Sequence, residues 1–150
     1  MTIRWVCKSF DDLSPAELYK ILQLRNSVFI VEQACIYPDP DNIDFDCFHL
    51  CGWVNDTLAA YTRLIPSGKT FTEVSIGRVA THIDFRKGGF GRTLMQHSID
   101  KCIEIFGRQD IRIGAQLYLK KFYESFGFEQ CSDIYLEDGI EHIEMILLMK

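Results

Sequence analysis

The sequence of 150 residues lacks several features that would place it in a special class of protein. No apolar run approaches the roughly 20 residues that a membrane-spanning helix needs. No run of lysines and arginines is present that could neutralise a series of phosphates. Cysteines separated by two residues, a spacing typical of zinc and redox sites, are also missing. We therefore expect neither a membrane nor a nucleic acid as partner, and no metal site.

The composition that remains is typical of an ordinary globular domain. Apolar residues make up 47% of the chain and charged residues 25%. The 16 basic and 21 acidic residues give a formal net charge of −5, which also disfavours nucleic acid. A chain of this length buries about 68–70% of its unfolded surface, which is enough for one core. The sequence therefore predicts a single domain over residues 1–150.

The cysteines are scattered and no apolar leader follows the first residues, so we interpret them as reduced thiols of a cytoplasmic protein. One group lies at alternate positions of a strand pattern, where Cys47, His49 and Cys51 share a face. A zinc site there would need a fourth ligand, so buried strand thiols are the expectation. The six cysteines are Cys7, Cys35, Cys47, Cys51, Cys102 and Cys131.

Hydrophobic periodicity predicts an α/β fold in which helices flank a central mixed β-sheet. Ser14 and Glu17 form a capping-box pattern around Pro15, which marks the start of a first helix. Arg25 falls on the apolar side of that helix, so we expect a buried ion pair that shapes a pocket. The predicted strands cover residues 3–10, 48–54, 58–65, 71–82, 111–115, 128–136 and 142–149, and the predicted helices cover 15–31, about 92–106 and 116–126.

Residues 34–46 break all periodicity and predict a long surface loop. The loop contains two prolines and the aspartates Asp39, Asp41, Asp44 and Asp46. It lacks the glycine and glutamate positions of a calcium-binding EF-hand loop. We expect a solvated acidic loop, with a rim that attracts cations as the alternative.

A glycine-rich segment between a predicted strand and a predicted helix is the clearest sign of chemistry. Gly88, Gly89 and Gly91 allow the backbone to approach a ligand, and the helix that follows offers free N–H groups. The spacing is neither that of a Walker loop nor that of a dinucleotide fingerprint. The segment predicts a diphosphate site, with a purely geometric glycine turn as the alternative.

Two motifs resemble those of the GNAT family of N-acetyltransferases. Arg86-x-x-Gly89-x-Gly91 resembles the acetyl-CoA signature of the family, and the sequence FYESFGF at 122–128 resembles its closing motif. Segments at 24–33, 76–79, 115–116 and 137–145 make the resemblance closer to the ElaA-like branch. The resemblance implies the GNAT acyltransferase fold, with acetyl-CoA as cosubstrate.

The resemblance also implies which residues contact acetyl-CoA. The strand that ends at Val79–Thr81 should diverge from the strand that begins at Ile111, so that free N–H groups bind the pantetheine. One N–H group, from Val79 or Ala80, should face the thioester oxygen. The implied contacts are Val79, Ala80, Thr81, Arg86, Lys87, Gly88, Gly89, Phe90, Gly91, Arg92, Gln116 and Tyr123.

The catalytic groups are less constrained by the sequence. Tyr123 lies at the family's usual position for the general acid, although its hydroxyl could instead be tied to the backbone in a core; Tyr118 is a weaker candidate. The general base remains open among Glu32, His82 and His142.

These expectations add up to an N-acetyltransferase that transfers an acetyl group from acetyl-CoA to a primary amine by direct attack in a ternary complex. A non-catalytic acyl-CoA binding module is the alternative. The net charge and the loop aspartates favour a cationic acceptor. The resemblance also favours a homodimer.

Overall fold

The computed structural model describes residues 2–150, which fold into two sheets with helices packed on their faces. The elements are β1 (Arg4–Ser9), α1 (Pro15–Arg25), β2 (Phe48–Val54), β3 (Thr57–Ile65), β4 (Ser75–Thr81), α2 (Phe90–Phe106), β5 (Ile111–Gln116), α3 (Lys120–Glu124), β6 (Glu129–Gln130), β7 (Tyr135–Glu137) and β8 (Ile140–Leu147). The order of helices and strands matches the predicted one up to α3, after which three strands take the place of the predicted two. In this described part, no helix combines the length and the apolar composition needed to cross a membrane.

The first sheet is an antiparallel meander of β1, β2, β3 and β4. Helix α1 packs on one face, where Ile21 and Leu24 meet Tyr61. Helix α2 packs on the other face, where Met95 and Ile99 join the main core. Because both faces are covered, β3 is buried along almost its whole length.

The second sheet has the order β5-β8-β6, with β7 also paired to β8. One face is apolar and contributes Ile113, Ile143 and Met145 to the main core. The opposite face carries polar side chains, since Gln116 pairs with His142 across β5 and β8. This alternation is what a sheet with one buried face requires.

The two sheets meet at a single parallel bridge between Val74 and Ile111. Its hydrogen bond runs from the Arg112 N–H to the Val74 carbonyl, over 2.9 Å. Beyond this point β4 and β5 diverge and leave an open wedge between them. The predicted mixed sheet is confirmed, and so is the divergence of these strands that the family resemblance implied.

The first helix departs from the prediction in its last turns. Its capping box forms as expected between Ser14 and Glu17. After Arg25 the chain continues as a π-helical segment, Asn26–Glu32, instead of an α-helix up to Val31. The wider turn shifts the helical phase. Val31 is therefore 68% exposed rather than part of the apolar stripe.

Three further boundaries were predicted wrongly. The strand expected over 71–82 begins only at Ser75, and the helix expected over 116–126 is a 3₁₀ turn, Leu117–Leu119, followed by α3. The strand expected over 128–136 is split into β6 and β7. At this break the Ser132 hydroxyl accepts a hydrogen bond from the Glu144 N–H, so a side chain replaces a strand partner.

Candidate active site

The wedge between β4 and β5 opens into a cleft of about 420 Å³. Val79 of β4 lies on one side of it, and Gln116 of β5 lies on the other. Tyr123 of α3 and His142 of β8 also line the cleft. Four of the predicted site residues, from four separate segments of the chain, are thus brought together.

A β-bulge distorts β4 where it borders the cleft. Arg78 has a φ of +51°, and the register with β3 slips so that Arg78 and Val79 both lie opposite one residue of β3. Further along, the His82 N–H donates to the Ala59 carbonyl over 2.8 Å. Successive N–H groups of a strand point to opposite sides, so the N–H of Thr81 faces away from β3. That side of β4 is the one that borders the wedge.

The glycine-rich loop leaves its backbone accessible. Gly89 caps helix α2 with a φ of +74°, a conformation that favours glycine. A Cβ atom added to Gly89 or Gly91 would meet no other atom within 4 Å. The first N–H groups of an α-helix have no partner inside the helix, and the helix dipole favours negative charge there. The start of α2 therefore has open backbone at the place where the sequence predicts an anion site.

The three basic side chains predicted to contact the cofactor at this loop have different surroundings. Arg92 donates to the Ser125 hydroxyl over 2.8 Å, and its guanidinium lies 4.6 Å from the centre of the Phe126 ring. Lys87 is exposed. Arg86 instead forms an ion pair of 2.7 Å with Glu32. Two residues that were predicted to act separately, on the cofactor and on the acceptor, contact each other.

Tyr123 is 5% exposed and packs edge-on against Phe122 and Phe128. Within residues 2–150 its hydroxyl has no hydrogen-bond partner, so it is not tied to the backbone as the alternative interpretation required. Burial raises the pKa of this phenol. Tyr123 therefore keeps its proton at neutral pH and presents it at the wall of the cleft.

His142 has a defined tautomer. Its Nδ1 lies 2.7 Å from the Ile140 carbonyl oxygen, which can only accept, so Nδ1 carries the proton. Nε2 lies 3.6 Å from the Glu137 carboxylate, and the ring stacks on Tyr135. Neutral His142 therefore presents a lone pair at Nε2, as a general base must.

The other two candidate bases do not line the cleft. Glu32 directs both carboxylate oxygens at Arg86, at 2.9 and 2.7 Å. His82 accepts a hydrogen bond from the Asp84 N–H through Nδ1. His142 is the only one of the three that borders the same cavity as Tyr123.

The acidic loop is not the solvated surface that its composition predicted. Asp39 and Asp44 are 6% and 7% exposed, and three arginines bind the loop. Arg25 pairs with both of them, at 2.8 and 2.7 Å, which confirms its predicted buried ion pair. The remaining ion pairs join Arg63 to Asp41 (2.7 Å) and Asp44 (3.0 Å), and Arg78 to Asp39 (2.8 Å) and Asp41 (3.5 Å).

These contacts leave the acidic cluster nearly neutral, since three carboxylates face three guanidinium groups. Burial alone raises the pKa of Asp41, but the hydrogen bonds and charge of Arg63 outweigh it and lower the pKa to about 2. Burial likewise opposes ionisation of Asp44, and Arg25 reverses the effect so that its pKa is lowered. Only Asp46 keeps the predicted exposure, in a surface pair with Lys69. The alternative interpretation of the loop, a negative rim that attracts cations, is therefore also wrong.

Gln33, which follows the candidate base Glu32, donates to the Gln116 side chain over 3.1 Å and links the end of the first helix to β5. Two cleft residues, Arg63 and Arg78, were missed by sequence reasoning. Arg63 could have been found in the same way as Arg25, because a charge inside an otherwise apolar strand needs a buried partner.

The cysteines are all free thiols, and none pairs with another. The strand thiols Cys47 and Cys51 are buried as predicted, and burial raises the pKa of each to about 12. His49 between them uses both ring nitrogens, on the Tyr61 hydroxyl and the Asp44 carbonyl. These side chains are therefore part of the packing.

Comparison with known proteins identifies the family. Residues 44–149 match the model of the acetyltransferase (GNAT) domain. The chain belongs to the GNAT family. It is 41% identical to the protein ElaA of Escherichia coli over 145 residues, which cover 95% of each chain. This GNAT chain is thus an ElaA-like member, as its motifs suggested.

Solved structures agree with the sequence comparison. The crystal structure of E. coli ElaA matches with a TM-score of 0.90 and 39% identity, covering 97% of this chain and 99% of that one. An acyl-CoA N-acyltransferase from Pseudomonas aeruginosa matches with a TM-score of 0.93 and 37% identity, at the same coverage. The fold is therefore the GNAT acyltransferase fold over nearly the whole chain.

Proposed function

We propose that this protein is an N-acetyltransferase that uses acetyl-CoA to acetylate a primary amine by direct attack in a ternary complex. The observation that carries the proposal is the cleft between β4 and β5. It joins a free backbone edge, an unpartnered phenol and an imidazole with a free lone pair, beside an open helix N-terminus. Membership of the GNAT family and the similarity to an acyl-CoA N-acyltransferase support it.

The chain offers suitable groups for the cosubstrate, which would bring the acetyl group as a thioester. The N–H groups from Lys87 to Arg92 and the side chains of Lys87 and Arg92 would hold the diphosphate, in the open space above Gly89 and Gly91. The free edge of β4, at Val79 and Thr81, would bind the pantetheine amides.

The N–H groups of β4 would also stabilise the reaction. Negative charge develops on the thioester oxygen as the amine attacks, and an N–H group at Val79 or Ala80 would bind it. Loss of one such donor typically costs about 10²–10³ in rate. No covalent enzyme intermediate is needed for this route.

Two side chains would move the protons. His142 Nε2 would take a proton from the ammonium form of the acceptor, directly or through one water, so that the nitrogen can attack. The C–S bond then breaks, and Tyr123 would give its proton to the departing thiolate. The second proton, which the nitrogen loses as it becomes an amide, would pass through solvent to the Tyr123 phenolate and restore the phenol. Glu32 would not act as the base, because it is held by Arg86.

The acceptor is proposed to be cationic, for a reason different from the one that the sequence offered. The loop aspartates are neutralised by arginines, but Glu137 and Asp138 also border the cleft. In the described part of the chain, neither of them forms an ion pair with lysine or arginine. Their charge lies at the mouth beside His142, where it would attract an ammonium group.

The experiment is a panel of amines incubated with acetyl-CoA, with thiol release and the mass of the product as readouts. Tyr123→Phe should bind CoA as tightly as the parent protein and lose about 10²-fold or more in kcat. Tyr19→Phe, at an exposed tyrosine of α1, is the matched control and should change neither quantity. A parent protein that binds CoA and acetylates no amine would instead be the binding module.

A further inference from the structure

Asp39 contacts two arginines, one directly before the π-helical segment and one in the β4 bulge, and both irregular segments border the cleft. Its Oδ2 accepts a hydrogen bond of 2.8 Å from Nε of Arg25, the residue that precedes the π-helical segment. Its Oδ1 lies 2.8 Å from Nε of Arg78, the residue at the β4 bulge. The backbone carbonyl of Asp39 also accepts from Nη2 of both arginines, at 3.2 and 3.0 Å. One residue of the acidic loop thus binds the arginine before the π-helical segment and the arginine at the β4 bulge.

Arg78 has a conformation that needs outside support. A φ of +51° is unfavourable for any residue with a Cβ atom, and such residues persist where the surroundings hold them in place. The surroundings here are Asp39, Asp41 at 3.5 Å and the Tyr37 ring, whose centre lies 5.7 Å from the Arg78 guanidinium. The ion pair therefore stabilises the bulge itself.

Asp39 is itself held on a stiff segment. Pro38 and Pro40 flank it, and each fixes its own φ and restricts the residue before it. Asp39 is 6% exposed, so solvent hardly weakens its contacts with the arginines. Because Asp39 has a fixed position, it can hold Arg78 of β4 in place.

We propose that Asp39 is a positioning residue for acyl transfer. By binding Arg78, it keeps the β4 bulge in the conformation that directs the N–H group of Val79 at the thioester oxygen. This inference rests on the proposed function, since that function places the thioester beside β4. It adds a residue of the acidic loop, remote from the glycine-rich loop, to the groups on which catalysis depends.

Two substitutions of Arg78 separate positioning of the backbone from a direct role of the arginine. Arg78→Ala removes the ion pair and leaves a Cβ atom in an unfavourable conformation. Arg78→Gly removes the same ion pair, but glycine adopts a positive φ freely. If the ion pair of Asp39 with Arg78 acts by holding the bulge, Arg78→Gly retains the function that Arg78→Ala loses. Asp39→Asn removes the charge from the other side, and Asp46→Asn is the control in the same loop.

The first readout is the ¹³C chemical shift of acetyl-CoA labelled at the thioester carbonyl, measured in the complex without any acceptor. The parent protein should move this signal downfield from its free position, and Arg78→Gly and Asp46→Asn should preserve the change. Arg78→Ala and Asp39→Asn should lose it while the Kd for acetyl-CoA stays within about threefold. Equal losses in both Arg78 variants, or no loss in either, would overturn the proposal.

The second readout is kinetic and uses the best amine of the panel. Arg78→Ala and Asp39→Asn should lower kcat by about 10²-fold with little change in the KM for acetyl-CoA. Arg78→Gly should recover at least tenfold of that loss. Because the labelled carbonyl needs no acceptor, failure of the parent protein to transfer acetyl would refute the proposed function without deciding the role of Asp39.

A third readout needs no ligand and therefore applies even if this protein does not bind acetyl-CoA. The ¹³Cα and ¹³Cβ shifts of Arg78 in the free protein distinguish its left-handed helical conformation from an extended one. Asp39→Asn should move them toward extended values, and Asp46→Asn should leave them unchanged. Unchanged shifts in Asp39→Asn would overturn the proposed positioning of the bulge by Asp39, whichever ligand the protein binds.

Discussion

The glycine-rich loop at 83–92 and the acidic loop at 34–46 are both polar, irregular segments beside one cleft. They differ in whether their polar groups are exposed or buried in ion pairs. The glycine-rich loop leaves its backbone open and its cations at the surface. The acidic loop buries most of its carboxylates against three arginines. A ligand can add contacts to the first loop, whereas the second has already used its charges to support the walls of the site. Charge composition alone does not distinguish the two cases.

The largest expected effect comes from breaking the acidic cluster. Arg25→Leu would leave Asp39 and Asp44 buried without one of their partners, which typically costs about 3–5 kcal/mol in the free energy of unfolding. The measurement is urea denaturation followed by circular dichroism. Lys69→Leu breaks the exposed pair with Asp46 and should cost less than about 1 kcal/mol. Similar losses in the free energy of unfolding for both variants would mean that the buried ion pairs do not stabilise the fold more than a surface pair does.

The next largest effect is expected on CoA binding at the glycine-rich loop. Gly91→Val places a branched side chain over the open backbone of the anion site, where it has room in the free protein. Loss of charge-assisted hydrogen bonds worth about 1.5–3 kcal/mol should weaken CoA binding roughly 10- to 100-fold in calorimetry. Gly89 is a poorer choice, because its positive φ would add strain to any substitution.

Gln96→Val controls for valine on the same helix, at an exposed position beyond the first turn. It should leave the affinity for CoA unchanged. Equal affinities in Gly91→Val and Gln96→Val would remove the diphosphate site from the start of α2.

Acid should destabilise the protein through the acidic loop. The pKa of Asp41 in the folded state is about 2, below its ordinary value of 3.8, so the ionised side chain stabilises the fold above about pH 4. This contribution, roughly 1–2 kcal/mol, is lost as the pH falls from about 4 toward 2. Urea titrations across that range measure it, and Asp41→Asn should flatten the dependence. A parent protein equally stable at pH 4 and pH 2.5 would contradict the pairing with Arg63.

The smallest effect concerns the acceptor. Glu137→Gln combined with Asp138→Asn removes two charges from the mouth of the cleft, and asparagine suits the turn that precedes Gly139. The KM for a cationic amine should rise a few-fold and depend less on salt, with the KM for acetyl-CoA unchanged. Glu141→Gln, an exposed change outside the cleft, is the control. An unaltered KM in the double variant would refute the proposed charge of the acceptor.

Local periodicity predicted the order of elements up to α3, and a single charge on an apolar helix face predicted the buried pair of Arg25. The divergence of β4 from β5 was implied by the family resemblance. It did not predict the fate of the acidic loop, because Arg63 and Arg78 lie 22 and 37 positions beyond Asp41. The π-helical segment and the β4 bulge also escaped prediction. Both depart from regular periodicity, and both are stabilised by tertiary contacts that no local pattern records.

The most direct test of the comparison is hydrogen exchange with and without CoA, read by mass spectrometry on short peptides. CoA should slow exchange in peptides that cover 79–81 and 86–93, where backbone N–H groups are open. It should leave 39–46 unchanged, because the arginines already hold that loop in the free protein. Protection confined to 39–46, with none at the start of α2, would contradict the account.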